Sequence, residues 1–205
     1  RAAVSRFWSP IRSRIGLAFV DASQFPFCYS VLQDGIFWIV WDASSARVPE
    51  EQLIWTKQQL TSTQAKAART RFVVGHLPLV GVGLGKDRPG EVLDRASALQ
   101  TLMEDGRVQA YISGHHHAWF SGRRGQLDLI QLGALGSGPR RLLDGAVRAQ
   151  QTFTLLEIDA GRGALLEITY AVSSGQPLSW STLPPHLSTR AGLLQRTASK
   201  RLLRE

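Results

Sequence analysis

Histidine is scarce in this chain, five among 205 residues, yet three of the five are consecutive: His115, His116 and His117 in YISGHHHAWF. A fourth, His76, closes RFVVGH, so that twice an apolar run passes through a glycine into a histidine. Imidazole nitrogen is a borderline-soft donor, suited to Zn, Fe or Mn and poorly suited to Ca or Mg alone, so the chemistry this pattern could carry is transition-metal binding. In extended backbone His115 and His117 project to one side and His116 to the other. His76, His115 and His117 are therefore the candidate ligands, and His116 is expected to be structural. A lone histidine at a strand end is ordinarily a hydrogen-bonded structural residue; the repetition of the strand, Gly, His design is what argues for metal. His186, in a proline-rich stretch, is expected to be exposed.

Other chemistry is weaker. GVGLGKD (residues 81–87) imitates a phosphate-binding loop, but Val80 stands where the first glycine belongs and Asp87 where Ser or Thr should meet magnesium. Its cations Lys86 and Arg88 are candidate contacts to a substrate phosphate, against the alternative of plain solvation. No Gly-x-Ser-x-Gly stretch supports a serine hydrolase. Cys28 is the single cysteine, which excludes an internal disulfide framework and reads as a small buried hydrophobe.

The elements that would hold these residues follow from pattern. Phe27–Leu32 and Ile36–Asp42 read as strands joined by Asp34-Gly35, a strong hairpin signal. A helix is expected after Pro49, with acids in its first turn, and a second after Pro89, where Val92, Ala96, Leu99 and Met103 share a face and Gly106 supplies the stop. Arg71–Gly75, Val108–Ser113 and Leu127–Leu132 read as buried strands, and residues 152–159 and 164–172 as a late hairpin. In open α/β sheets ligands gather beyond the carboxyl ends of the strands, which would place His76 and His115 on one rim. Gly75 and Gly114 are expected to permit a left-handed turn and close approach to the backbone there. The whole reads as a layered α/β protein.

The formal charge of +8 is unevenly spread. Residues 1–14 hold Arg1, Arg6, Arg12 and Arg14 with no acid; residues 186–205 hold Arg190, Arg196, Lys200, Arg201 and Arg204 against Glu205; between them 15 basic and 15 acidic side chains balance. The body is thus expected not to offer a nucleic-acid surface, while the basic ends are either solvated or contact a polyanion or partner. Composition divides the chain into a basic segment (1–26), a compact body (27–175) and a Pro/Ser/Arg-rich tail (176–205). No apolar run approaches the ~18 residues of a membrane span, so none is expected.

At this point the residues resemble a family. VVGHLPL, followed some forty residues later by YISGHHHAWF, is similar to the last two metal motifs of the calcineurin-like metallophosphoesterases, the superfamily that includes purple acid phosphatases. IFWIVWDASSARVPEEQLIWTKQQL and QLGALGSGP resemble the flanking strand, helix and glycine-rich turn, so that the likeness covers about residues 27–172. It implies an α/β/β/α sandwich, represented here by its C-terminal half. It also implies two divalent or trivalent transition ions (Fe, Mn or Zn), with His117 on one ion and His76 and His115 on the other. Such ions clamp a phosphate mono- or diester and generate the hydroxide that attacks phosphorus in line. The family's Asp-x-His, Gly-Asp-x-x-Asp and Gly-Asn-His-Asp/Glu motifs are absent from these 205 residues. Two expectations follow. Either this is the C-terminal portion of a longer phosphoesterase, a reading to which the non-methionine start contributes, or it is a self-contained relic in which Asp42 joins the histidines. An inactive interaction module retaining the fold is the alternative function.

Overall fold

A computed structural model describes residues 1–136, 138–145, 147–159 and 161–203. The chain begins with α1 (Ala2–Trp8), none of whose residues is buried, and a 3-10 turn at Ser9–Arg14. Strands β1 (Phe19–Gln24), β2 (Cys28–Gln33) and β3 (Ile36–Val40) form an antiparallel meander. Its second turn places both Asp34 (φ 53°) and Gly35 (φ 77°) in the left-handed region, as a two-residue hairpin turn requires. The expected helix after Pro49 is two helices, α2 (Glu50–Thr61) and α3 (Thr63–Ala67). Ser62 leaves helical geometry between them and accepts a hydrogen bond at Oγ from Ala65 N. Then follow β4 (Thr70–Val74), α4 (Ala96–Asp105), β5 (Ala110–Ser113), β6 (Phe120–Arg124) and β7 (Leu127–Gln131). The expected helix after Pro89 starts only at Ala96, because Arg95 is left-handed (φ 57°) and breaks it. Residues 89–95 are therefore loop.

Nine strands make one sheet in the order β1-β2-β3-β4-β5-β7-β6-β11-β10, where β10 is His186–Thr189 and β11 is Gly192–Arg196. The centre, β3-β4-β5-β7, is parallel and the flanks are antiparallel. A second sheet holds β8 (Thr152–Asp159), β9 (Ala164–Ala171) and β12 (Lys200–Leu202). Period-two alternation explains the layering. Phe37 and Ile39 face Trp55, Leu60, Leu99 and Met103 of the helices, whereas Ile36, Phe72, Ile112 and Ile130 face Leu165, Leu156 and Ile158 of the small sheet. The result is helix, sheet, sheet. On the outer face of the small sheet Phe153 and Leu155 are exposed, so three layers of the expected α/β/β/α sandwich are present among the described residues.

The ends depart from their composition. β1 lies inside the stretch expected to be a basic segment, and residues 183–201, expected to be tail, contribute Leu183, Leu187 and Leu194 to the core. The tail is anchored by charge as well. Glu167, buried in β9, accepts from Arg201 Nη2 (2.6 Å), Ser121 Oγ (2.6 Å) and Trp119 Nε1 (3.2 Å), so a residue read as solvated charge closes a buried ion pair. Cys28 is buried as expected, and burial pushes its thiol up to about 12. No helix among the described residues is long and apolar enough to cross a membrane.

Candidate metal centre

β4 and β5 are neighbours in parallel register, so the segments that follow them emerge side by side. Backbone bonds stitch the two exits together: Gly75 N donates to Ile112 O (3.0 Å) and Gly114 N to His76 O (3.1 Å). A β-carbon on Gly75 would overlap the hydroxyl of Tyr111, which is fully buried and donates to Leu77 O (2.6 Å), directly beneath the turn that carries His76. Gly114 has no such neighbour. Neither glycine is left-handed, contrary to expectation; the left-handed residues are His115 (φ 65°) and His117 (φ 55°). The triplet is thus a tight turn rather than a strand, because β5 ends at Ser113. Within it His116 alone points into the core.

His116 is excluded as a ligand by its own bonds. Nε2 donates to Glu91 O (2.8 Å) and Nδ1 accepts from Val82 N (3.2 Å), so the neutral ring spends both nitrogens. Burial drives its pKa down to about 4, which keeps it neutral. Its task is to pin the loop at 82–91 against the turn.

His76 and His115 converge, with His76 Nε2 and His115 Nδ1 3.1 Å apart. The outer nitrogen of His115, Nε2, lies 2.7 Å from Glu91 Oε2. An ionised carboxylate only accepts, so Nε2 carries the proton and Nδ1 presents its lone pair to His76. His117 is held in the complementary tautomer: Nδ1 donates to Gly138 O (3.0 Å), which leaves Nε2 as the free donor atom. Orientation of an imidazole by a carboxylate or carbonyl on its far nitrogen is the usual support of a metal ligand. The pKa of His76 is lowered, first by burial and then by the proximity of His115 and His117, so these three rings share one electrostatic neighbourhood.

Glu91 was not legible as a functional residue, since it fell inside an expected helix. In the loop it gathers three partners: Lys86 Nζ at 2.7 Å, Arg88 Nη2 at 3.2 Å and His115. The hydrogen bond from Lys86, followed by that from His115, holds its carboxyl down at about 2. Lys86 and Arg88, expected to face a substrate phosphate, are therefore both ion-paired to Glu91. An acid three to five residues from two cations was the available signal. The backbone of Arg140 also reaches the site, its N donating to His117 O (2.9 Å).

Against a metal centre the donor set fits in part. Two nitrogens 3.1 Å apart suit one ion, since bonds of ~2.0–2.1 Å in tetrahedral geometry separate ligands by about 3.3 Å. Among the described residues, however, no three His, Cys, Asp or Glu side chains converge as a complete site. Asp42 does not join the histidines; it is engaged by Arg1 and by Ser44 Oγ (2.7 Å) and lines a cavity beside Phe25 and Pro49. The hollow that His117 lines holds about 20 Å³, room for roughly one water. These residues do not by themselves fit a two-ion centre. His186 is exposed at the start of β10.

Comparison with known proteins places this fold. No family model and no curated protein sequence matches the chain. Solved structures do. A purple acid phosphatase from yellow lupin seeds matches with a TM-score of 0.58 at 15% identity, over 74% of this chain and 31% of that one. GAP50, the anchor in the inner membrane complex of Plasmodium, matches at 0.57 and 19%, over 70% of this chain and 47% of that one. A dimetal phosphatase from Danio rerio matches at 0.51 and 12%, over 70% and 57%. At such identities the likeness is one of fold, a phosphoesterase-like α/β architecture, and this chain spans between 31% and 57% of the length of these neighbours.

Proposed function

We propose that this chain supplies the histidine side of a metal-dependent phosphoesterase that hydrolyses phosphate mono- or diesters, with His76, His115 and His117 as ligands. The observation that carries the reading is the pair of tautomers. Glu91 on His115 and Gly138 on His117 leave Nδ1 of one and Nε2 of the other bare, and His76 faces the first of these at 3.1 Å. Placing an ion between His76 and His115 requires the His76 proton to move from Nε2 to Nδ1, and because only the neutral rings bind metal, protonation of the imidazoles competes and binding should weaken as pH falls. The carboxylates that would balance two cations are not assembled in this chain, and complete activity belongs to a protein that adds them. When bound, the metal would supply Lewis acidity and an activated water. Lys86 and Arg88 would reach a phosphate only by exchanging Glu91 for it. The fold neighbours, which include a purple acid phosphatase and a dimetal phosphatase, support the reaction class.

A second reading has its own observation. With Lys86 and Arg88 both ion-paired to Glu91, the site as it stands also suits an interaction module without turnover. Metal content after equilibrium dialysis against Zn, Mn or Fe, followed by hydrolysis of an aryl phosphate, separates the two. The enzyme reading expects bound metal that His115→Ala and His117→Ala abolish and His116→Ala spares, together with turnover in the carboxylate-complemented protein. Equal metal loss in all three variants, or metal without turnover in that protein, rejects it.

A further inference from the structure

At the opposite, amino-terminal rim of the parallel strands lies a cavity of about 540 Å³. Lys66 and Arg69 precede β4, Arg71 stands within it, Arg107 precedes β5, and Arg162 lies in the turn between β8 and β9; all five line this cavity, no acidic side chain among the described residues does, and the nearest acid, Asp159, pairs with the Arg162 guanidinium at 3.5 Å from outside the lining. Its apolar wall is Leu203 with its neighbours.

Two features make this more than a solvated basic face. Arg71 is half-buried and its Nε is tied to Ala65 O (2.8 Å), so its guanidinium cannot swing away. Its pKa is lowered, first by burial and then by repulsion from the Arg107 charge. Such repulsion destabilises the free protein and is relieved by a counter-anion. The volume is that of a small-molecule site, and the density of cations exceeds what one phosphate can use. Guanidinium groups pair with phosphate oxygens through two parallel hydrogen bonds, which suits several phosphates set close together.

We propose that this cavity binds a compact polyphosphorylated small molecule, whose clustered phosphates are held by Lys66, Arg69, Arg71, Arg107 and Arg162, at a site separate from the histidine rim. The chemistry is shared by nucleoside polyphosphates and inositol polyphosphates. A polynucleotide or membrane surface is less well matched, because the cations line a concavity rather than a flat or elongated face.

The test is calorimetric titration of the EDTA-treated chain with tripolyphosphate at fixed ionic strength, which removes any contribution from metal at the histidines. One saturable site is expected, at least about tenfold tighter than for orthophosphate. The double variant Arg107→Gln/Arg162→Gln, at two exposed positions, should weaken binding about tenfold or more, whereas Arg12→Gln/Arg14→Gln, which removes equal charge elsewhere, should leave it within about twofold. Adenosine triphosphate and inositol hexakisphosphate as competitors then tell which source is preferred. Non-saturable binding, equal loss in both double variants, or displacement by a short DNA duplex more effective than by either small molecule would overturn the proposal.

Discussion

RFVVGH and AYISGH are near-copies in sequence and unlike in structure. After β4, Gly75 is squeezed against Tyr111 and Ala43 and hands on to an exposed His76; after β5, Gly114 has open space around it and hands on to a left-handed His115. In the first segment glycine is required because no side chain fits. In the second, the constraint has moved one residue onward, into the histidine backbone. The same string therefore places two imidazoles 3.1 Å apart by two different devices, steric at one strand and conformational at the other.

The sharpest way to break this comparison is Gly75→Val, which sets a branched side chain against a buried tyrosine and should cost about 2–4 kcal/mol in urea denaturation. A variant as stable as the parent would show that the turn yields and that Gly75 carries no constraint. Acid should come next. His116, which locks the second segment, is neutral in the fold with its pKa depressed to about 4 from 6.5. Its stabilisation is complete above 6.5 and is lost as pH falls from there toward 4, about 3 kcal/mol in all. Thermal melts of metal-free protein across that window should show the loss, and His116→Asn should flatten it. Loss confined to still lower pH would point instead to carboxylates such as Glu91, whose pKa is about 2.

Smaller still is the effect of Glu91→Gln, which keeps shape but removes the carboxylate oriented on His115. Metal affinity measured by competition with a chelator should fall about tenfold. Smallest is Gly114→Ala, with no atom within 4 Å of the new carbon, expected to change stability by less than about 0.5 kcal/mol. If it rivals Gly75→Val, the two glycines are equivalent and the contrast drawn above collapses.

Much of the fold was readable. β2 to β5, β7, β8 and β9 fall within a residue or two of their expected places, because buried strands announce themselves as continuous or alternating apolar runs. β6 was not readable, since Ser121, Gly122, Arg123 and Arg124 carry a polar signature; Ser121 is buried only because Glu167 meets it from 46 residues away. The last three strands were hidden for a related reason. Arg201 looks like solvent-facing charge until Glu167 is brought against it.

By itself the sequence determined the layered α/β class and the rim on which His76 and His115 emerge. These follow from periodicity and from residues close along the chain. Tertiary structure alone decided that Glu91 serves His115, that Lys86 and Arg88 are occupied by it, and that five scattered cations share one cavity at the far rim. Charge pairing and cavity shape depend on distances between segments far apart in sequence, and no local pattern encodes such distances.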